Sequence, residues 1–237
     1  VYINQAGKRK GAGTVALPIW HNDIMDFFDI QTEVGDPRSK SFDIQPQVCF
    51  MDLFMQKLED NPQQEWITVC PHEVKEKLGI TLPNMYNEDF VEAYSEIEKA
   101  VEDGVLKVFT KYKVIDLWRK YLQVFFEKGR PYAGFMCKVN RDNPNKHDGF
   151  IYCLNLCVES FSNTKPDVYH HTCSLASLVV GRIAVNELSN KASSLTRLLN
   201  NGMMITKAPV VESENHLRDY RTIGVGIQGD RKSTRLN

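Results

Sequence analysis

The segment Tyr152–Ser160 brings a thiol, a carboxylate and a side-chain amide into one short stretch of chain. If the segment is extended, alternate residues share a face, so Asn155, Cys157 and Glu159 point the same way at spacings of about 6.6 Å. A carboxylate can exchange a proton, and an amide can orient hydroxyl groups. One small ligand could therefore contact all three side chains. From composition alone, an amphipathic strand with an ordinary buried cysteine is the favoured interpretation.

A second cysteine begins the segment Cys173–Leu178, in which small and apolar residues follow the thiol. A cysteine that enters an apolar helix or strand is most often part of the core. Read by itself, Cys173 is therefore expected to serve packing.

The segment Asn4–Gly13 is rich in glycine, lysine and arginine and precedes the apolar run Leu17–His21. Glycine lets backbone approach a ligand closely, and lysine or arginine can meet a phosphate or stack on a base. Read by itself, the segment indicates a flexible basic loop or a frayed terminus. A second Gly-rich segment, Tyr220–Gly229, is weak evidence for a phosphate site and is predicted to serve packing.

Neighbouring histidines and cysteines raise a metal-binding alternative at Cys70-Pro-His72 and at His170-His-x-Cys173. Both residue types are common ligands of transition metals. The sequence has no second pair at ligand spacing, so no metal ligand is predicted.

The elements that position these residues follow from apolar periodicity and turn signals. A helix is expected after the first strand, with Asn22 as its N-cap, and residues 32–43 read as a loop. A further helix is expected over about Ile183–Leu199. The predicted strands are Thr14–Trp20, Pro131–Cys137 and Thr222–Gly229.

The most clearly helical region runs from Asn87 to Gly129. Its apolar residues recur three and four apart, which is the spacing of one helix face. Gly104 and Gly129 are placed to end two helices. The first predicted stripe is Phe90, Val91, Tyr94, Ile97 and Val101. The second is Val114, Leu117, Trp118, Tyr121, Leu122, Phe125 and Phe126.

Strands that alternate with long helices predict an α/β fold with parallel strands. No internal signal divides the chain, so residues 1–229 are predicted to belong to one domain. Residues 230–237 abruptly replace an apolar, Gly-rich strand with a polar, basic segment and are predicted to be a non-native tail.

Charge and cysteine usage narrow the class of protein. The chain has 29 lysines and arginines against 30 aspartates and glutamates, which argues against nucleic acid or a membrane as the main partner. Six cysteines without a CxxC pair favour a reduced, cytoplasmic setting.

The order of five motifs resembles that of the large, catalytic (alpha) subunit of class I ribonucleotide reductases. Chance does not readily produce such an order over residues 4–229, so the chain is identified as an internal fragment of such a subunit. The motifs are the Gly-rich loop from Asn4, P-I-W-H at Pro18–His21, N-L-C-V-E at Asn155–Glu159, C-S-L-A-S at Cys173–Ser177 and I-G-V-G from Ile223.

The resemblance implies roles for the central triplet. Cys157 would become a transient thiyl radical that removes the 3′-hydrogen of the substrate ribose. Glu159 would take the 3′-hydroxyl proton, and Asn155 would hydrogen-bond the ribose hydroxyls. Two positions depart from the family pattern, since Leu154 stands where serine is usual and Ser160 where isoleucine is frequent. Neither departure removes a reacting group.

The other motifs carry further implied roles. Cys173 would be one half of the redox pair that supplies reducing electrons and ends as a disulfide, with its partner on a strand before this chain begins. In the Gly-rich loop, Gln5 and Arg9 would contact the substrate base, while Lys8 and Gly11 shape the loop between effector and substrate. This loop is one residue shorter between Gln5 and Lys8 than in common family members.

The implied fold is a ten-stranded α/β barrel, of which this chain is a part, with the catalytic finger loop through its centre. The implied reaction replaces the ribose 2′-hydroxyl of ribonucleoside diphosphates by hydrogen. This chain would bind no cofactor, because the radical comes from a metal-containing small subunit. ATP and dNTPs would act as allosteric effectors, and thioredoxin or glutaredoxin would reset the cysteines. Large subunits would form a homodimer, and the fragment alone would be inactive.

Three alternatives stay open from the sequence. The first is a class II, adenosylcobalamin-dependent reductase, although such enzymes tend to have proline where Leu156 stands. The second is a non-catalytic nucleotide-binding module that uses residues 4–13. The third is a redox or metal-binding protein that uses His170, His171 and Cys173.

Overall fold

The computed structural model describes the backbone of residues 4, 5, 7 and 9–230, and the side chains of residues 7 and 11–230. The chain divides into two compact units. Unit 1 comprises Val1–Lys146 and Ile151–Phe161, and unit 2 comprises His147–Phe150 and Ser162–Asn237. In the described residues, no helix is long and apolar enough to cross a membrane. The single domain expected over residues 1–229 and the tail expected over 230–237 stay predictions.

Strands and helices alternate along the chain, which confirms the predicted α/β class. The strands are β1 (Asn4–Gln5), β2 (Arg9–Lys10), β3 (Gly13–Pro18), β4 (Ile44–Phe50), β5 (Glu65–Val69), β6 (Phe109–Lys113), β7 (Tyr132–Phe135), β8 (Ser174–Val179) and β9 (Ile223–Gln228). The α-helices are α1 (Ile24–Asp29), α2 (Asp52–Asp60), α3 (Pro71–Leu78), α4 (Asn87–Glu102), α5 (Val114–Lys128), α6 (Met136–Arg141), α7 (Leu188–Ile205) and α8 (Val211–Asp219).

A parallel sheet of three strands, in the order β3-β4-β7, lies in unit 1. In its middle strand, Val48 pairs with Leu17 of β3 on one side and with Ala133 of β7 on the other. Strands β5 and β6 form an antiparallel pair, as do β1 and β2. Parallel pairing is therefore confirmed for the sheet that holds the first predicted strand.

Aromatic side chains fill the core of unit 1. Phe50 of β4 packs edge-on against Tyr121 of α5 with ring centroids 5.0 Å apart, and Trp66 of β5 stacks on Tyr94 of α4 at 4.4 Å. Most of both predicted stripes is confirmed as buried or half-buried. The buried members are Phe90, Tyr94, Ile97, Val101, Val114, Leu117 and Tyr121.

Some members of the predicted stripes are exposed instead. Val91 is 44% exposed, Phe125 is 38% exposed and Phe126 is 83% exposed. At about 100° of rotation per residue, Phe126 lies on the side of α5 opposite Leu117, and Val91 lies about 100° around α4 from Phe90. The predictions for Val91 and Phe126 are wrong because they followed apolar residue type rather than helix face. The prediction for Phe125 is wrong because this residue is exposed in the last turn of α5.

Glycine ends two helices as predicted. Gly129 caps α5 with a φ of 69°, and Gly104 follows the end of α4 with a φ of 70°. The predicted cap at Asn22 is wrong, because α1 begins at Ile24. Asn22 Oδ1 instead accepts hydrogen bonds from the hydroxyls of Thr68 and Thr110, at 3.3 and 3.0 Å.

Other predicted elements are present with shifted ends. The strand expected over Pro131–Cys137 ends at Phe135, because Met136 begins α6. The helix expected over Ile183–Leu199 is α7, which lies further along the chain. The strand expected over Thr222–Gly229 is confirmed as β9.

Unit 2 contains the parallel pair β8-β9 together with α7 and α8. Among its described residues, the buried apolar side chains are Met203 and Leu217. Its buried polar residues are Ser162, Asn163, Ser213 and His216. Burial in unit 2 therefore depends on polar contacts as much as on an apolar core.

We expect Tyr94→Phe to lower the free energy of unfolding of unit 1. The buried hydroxyl accepts a hydrogen bond from the Ile67 N–H at 2.6 Å and donates one to the Ile67 carbonyl at 3.0 Å. Removal of the hydroxyl leaves the buried Ile67 N–H without this acceptor, so the free energy of unfolding should fall by about 1–3 kcal/mol. Urea unfolding followed by tryptophan fluorescence measures this change. Tyr112→Phe is the control, since no hydrogen bond of its hydroxyl is found among the described residues. Equal losses in both variants would contradict this assignment.

Candidate active site

The segment Tyr152–Ser160 forms a turn rather than the predicted extended strand. The Val158 N–H donates to the Asn155 carbonyl at 3.1 Å. Val158 also has a φ of 64°, a left-handed conformation that is strained for a β-branched residue. The prediction of an extended chain is wrong because the Asn155 side chain hydrogen-bonds the backbone that follows it, which favours a turn.

Two of the three predicted site residues are in direct contact within this turn. Asn155 Nδ2 donates to Glu159 Oε1 at 2.7 Å. Asn155 Oδ1 accepts from the backbone N–H groups of Glu159 and Ser160, each at 3.0 Å. Cys157 lies within the same turn as an exposed free thiol. The turn therefore presents a thiol together with an amide–carboxylate pair.

A buried side chain of the middle strand, Gln47, holds the start of this turn. It is 1% exposed, and its Nε2 donates to the carbonyls of Leu154 and Asn155 at 3.1 and 2.8 Å. Its Oε1 accepts from the Leu154 N–H at 3.4 Å. Gln47 is not among the site residues predicted from the sequence. A polar residue inside the apolar run Pro46–Phe50 is the signal that could have indicated a buried hydrogen-bonding role.

Asn140 of α6 holds the chain just before the turn. It is also not among the site residues predicted from the sequence. Its Nδ2 donates to the carbonyls of Met136 and Ile151, both at 3.0 Å, and its Oδ1 accepts from the Ile151 N–H at 2.9 Å. Asn140 and Gln47 together satisfy backbone groups of Ile151 and Leu154, which are themselves buried. The turn is thus attached to the core of unit 1 on its N-terminal side.

Cys173 lies directly before β8 and is exposed, not buried as its residue type suggests. Its Sγ lies 3.7 Å from His171 Nε2. His171 Nδ1 lies 3.3 Å from Nε2 of His216 on α8, and that nitrogen lies 2.7 Å from Ser162 Oγ. His216 is fully buried. Cys173 therefore begins a chain of polar side chains that leads to buried residues of the same unit.

The environment of His216 keeps its imidazole neutral. Burial, and secondarily the neighbouring His171, lower the pKa of His216 to about 4. The Thr172 N–H donates to His216 Nδ1 at 3.4 Å, so this nitrogen is an acceptor and the proton lies on Nε2. The ring also stacks on Tyr220 with centroids 5.1 Å apart.

The Gly-rich segment contains a short hairpin where the residues alone indicated a loop. Gln5 of β1 lies opposite Arg9 of β2, and Gly7 between them has a φ of 73°. The side chains of Gln5 and Arg9, and the whole of Lys8, lie outside the described residues. Gly11 follows β2 directly. The expected contacts of these residues with a base stay predictions.

The residues of the metal-binding alternative have other contacts. Within the described ranges, no group of three or more histidine, cysteine, aspartate or glutamate residues could hold a metal ion. His72 lies 3.4 Å from Glu76 across one turn of α3. The backbone N–H of His170 donates to the Glu212 carbonyl at 3.2 Å.

Comparison with known proteins decides the family. The family model of the ribonucleotide reductase barrel domain matches residues 1–233. The chain belongs to this ribonucleotide reductase family. The ribonucleoside-diphosphate reductase subunit alpha of Synechocystis sp. is 38% identical over 229 residues, covering 97% of this chain and 30% of that protein.

Two further reductase relatives agree with this assignment. A protein of the same name from Treponema pallidum is 33% identical over 255 residues, covering 97% of this chain and 30% of its own. The ribonucleoside-diphosphate reductase large subunit of Danio rerio is 30% identical over 236 residues, covering 96% of this chain and 28% of its own. The chain therefore spans just under a third of the length of these relatives.

These matches confirm the predicted family and its α/β barrel type. In the described part of the chain, the strands form separate sheets of two or three strands rather than a closed barrel. The roles assigned to Asn155, Cys157, Glu159 and Cys173 stay predictions.

We expect Asn155→Ala to open the turn within Tyr152–Ser160 while unit 1 stays folded. The amide protons of Glu159 and Ser160 would lose their acceptor, so we expect them to exchange with solvent about tenfold faster in amide hydrogen-exchange measurements. Glu159→Gln is the control, because it leaves Asn155 Oδ1 and both backbone N–H groups in place. Unchanged exchange at both amides in Asn155→Ala would show that the side chain does not hold the turn.

We also expect unit 2 to lose stability as the pH falls from about 6.5 towards about 4. The pKa of His216 is about 4 in the folded protein, against an ordinary value of 6.5. Between these values the unfolded chain binds the additional proton, so acid favours unfolding, and the contribution of neutral His216 is fully present above the ordinary value. The shift corresponds to about 3 kcal/mol.

Urea unfolding of unit 2 over this pH range measures that contribution. His216→Gln should remove the corresponding part of the pH dependence, because glutamine does not titrate. His170→Gln is the matched control and should retain it, since His170 is exposed. The same pH dependence in His216→Gln and in the unaltered chain would rule out this role for His216.

Proposed function

We propose that the protein to which this chain belongs reduces ribonucleoside diphosphates to deoxyribonucleoside diphosphates for DNA synthesis. The family match over residues 1–233 supports this proposal, as do relatives named ribonucleoside-diphosphate reductase. The observation that carries it is the turn in which Asn155 and Glu159 lie 2.7 Å apart on either side of exposed Cys157 in the chain. The turn supplies the thiol, carboxylate and amide that such a reaction uses.

In the proposed reaction, a thiyl radical on Cys157 removes the 3′-hydrogen of the ribose. An S–H bond forms as the C3′–H bond breaks. Glu159 takes the 3′-hydroxyl proton and later returns it, and Asn155 orients the ribose hydroxyls. The 2′-hydroxyl leaves as water with a proton from a thiol of the redox pair. Return of the hydrogen from Cys157 to C3′ closes the cycle and restores the radical.

The contacts of the turn support these roles for Asn155 and Glu159. Asn155 Nδ2 donates to one carboxylate oxygen of Glu159, which orients the carboxyl group and leaves the other oxygen to accept a proton. The backbone of the turn also holds Asn155 Oδ1 in place. Positioning of reacting groups before the substrate binds lowers the entropic cost of reaction.

Cys173 is proposed as one half of the redox pair. The two thiols of this pair supply two electrons and two protons. One proton leaves with the 2′-hydroxyl as water, the other becomes the new hydrogen on C2′, and Cys173 ends in a disulfide with a cysteine outside this chain. An external dithiol protein, thioredoxin or glutaredoxin, then reduces the disulfide. The exposure of Cys173 supports access by such a reductant.

The strand pair β1–β2 is proposed to lie between a bound effector, dNTP or ATP, and the substrate base. Gln5 and Arg9 would contact the base, and Lys8 and Gly11 would shape the loop. Gln5 and Arg9 pair across the hairpin, which supports their acting together.

The proposed assembly includes a homodimer of large subunits and a metal-containing small subunit that supplies the radical. The reduced state of all six cysteines suits the cytoplasm. This chain by itself is proposed to be inactive, because it covers 30% of its Synechocystis relative and its redox pair lacks a partner cysteine.

The experiment uses the complete large subunit with its small subunit and a dithiol reductant. We expect reduction of CDP to dCDP in the complete protein, and a fall to the uncatalysed background in Cys157→Ser, because serine cannot form the sulfur radical. Binding of CDP should be unchanged in the variant.

Cys153→Ser is the matched control, since Cys153 is also an exposed free thiol and has no assigned role. It should retain activity. Undiminished reduction in Cys157→Ser would refute the radical assignment. A requirement for adenosylcobalamin in place of the small subunit would favour a class II enzyme, and binding of nucleotide without any reduction would favour a non-catalytic module.

A further inference from the structure

Four side chains of unit 2, Cys173, His171, His216 and Ser162, form a continuous polar chain that we call the Cys173 relay. The successive atom pairs are Sγ to Nε2 at 3.7 Å, Nδ1 to Nε2 at 3.3 Å and Nε2 to Oγ at 2.7 Å. The relay begins at an exposed thiol and ends at buried groups, His216 and Ser162. Its members come from two chain segments, 162–173 and α8.

Backbone contacts fix the direction of the hydrogen bonds in the relay. The Thr172 N–H can act only as a donor, and it points to His216 Nδ1 at 3.4 Å. Neutral His216 therefore carries its proton on Nε2. That Nε2 lies 2.7 Å from Ser162 Oγ and 3.3 Å from His171 Nδ1. Because a protonated Nε2 has no lone pair, His171 Nδ1 cannot donate to it and is assigned as an acceptor. The proton of neutral His171 then lies on Nε2, which faces the sulfur of Cys173.

We propose that His171 is a positioning residue for Cys173, whose sulfur accepts a hydrogen bond from His171 Nε2–H that stabilises the thiolate. A hydrogen bond to the charged form of a group favours that form. Buried His216 keeps His171 in the required tautomer, and Thr172 in turn fixes His216. The role in turnover rests on the proposed function, in which Cys173 is redox-active. Thiolate stabilisation at Cys173 does not rest on it.

The contact between His171 and Cys173 acts when the disulfide of the redox pair is reduced. When an external dithiol attacks the disulfide of Cys173, a new S–S bond forms as the old one breaks, and Cys173 departs with the electron pair as a thiolate. The dithiol reductant is oxidised over the two exchanges, and the proton reaches Cys173 from solvent. A better stabilised leaving thiolate departs faster, so His171 would accelerate the resetting of the redox pair.

Other titratable groups lie around the relay. Tyr220 stacks on His216 and donates its hydroxyl hydrogen bond to Asp148. Tyr169 contacts the edge of Tyr220 and donates to Asp219 at 3.0 Å. These contacts hold both carboxylates to tyrosine hydroxyls, and burial raises the pKa of Tyr220 to about 12. Tyr220 therefore stays neutral near neutral pH.

Alkylation of Cys173 in the complete subunit tests the proposal. Iodoacetamide forms an S–C bond with the thiolate and releases iodide, and the rate at the Cys173 peptide is followed by mass spectrometry. The Cys157 peptide serves as the internal reference. Near neutral pH we expect the rate to fall about tenfold in His171→Ala, since a hydrogen bond to a charged group is lost. The pH dependence of the alkylation rate should shift to higher pH in His171→Ala. His171→Gln should restore part of the rate, because its side-chain amide can donate a hydrogen bond.

His170→Ala is the matched control, because it removes the adjacent exposed imidazole and leaves the relay intact. Its rate at Cys173 should equal that of the unaltered protein. Equal rates in His171→Ala and His170→Ala would overturn the proposal.

A second measurement needs no variant and therefore does not depend on how the variants fold. Nitrogen-15 NMR of the histidine rings distinguishes the two neutral tautomers, and we expect the Nε2–H form for both His171 and His216. The Nδ1–H form at His171 would overturn the proposal. The proposed function alone would be refuted if the unaltered complete protein did not reduce CDP while alkylation of Cys173 was still slower in His171→Ala. Full reductase activity with unchanged alkylation would refute this inference alone.

Discussion

The buried side-chain amide of Gln47 connects the middle strand of the parallel sheet to the turn that carries the candidate site. Three hydrogen bonds join it to backbone atoms of Leu154 and Asn155. A buried amide that lost these partners would be costly, so the strand and the turn fix each other's position. Asn155 then orders the rest of the turn through its own side chain. The geometry around Cys157 thus depends on a residue that takes no part in the chemistry.

Apolar periodicity predicted the helical part of the fold well, because α4 and α5 each bury one face against strands. Phe90, Tyr94 and Ile97 follow a spacing that a single sequence displays directly. Phe126 misleads for a physical reason, since an aromatic residue on the far side of a helix looks the same in sequence as one that faces the core. The end of β7 was also hidden, because the apolar Met136 continues the run while the backbone turns into α6.

The residue types of the candidate site could be identified from the sequence, but their conformation could not. Alternation of polar and apolar residues around Cys157 suits a strand, yet Asn155 competes for the same backbone and imposes a turn. Gln47 lies more than a hundred positions before the turn, and no local spacing links them. His171 and His216 are likewise distant in sequence. Long-range polar contacts of single side chains are the part of the structure that periodicity does not encode.

The two candidate thiols are held by different physical means, and the difference suits their proposed tasks. Cys157 lies in a turn with a strained Val158 and is attached to a well-packed core through buried amides, which limits its movement. Cys173 is exposed, in a unit whose described residues include few buried apolar side chains. It lies beside an imidazole whose tautomer a second imidazole fixes. A radical centre requires a fixed distance to one C–H bond. A thiol that exchanges disulfides with external proteins requires access and a stable thiolate instead. The contacts of each cysteine follow these separate requirements.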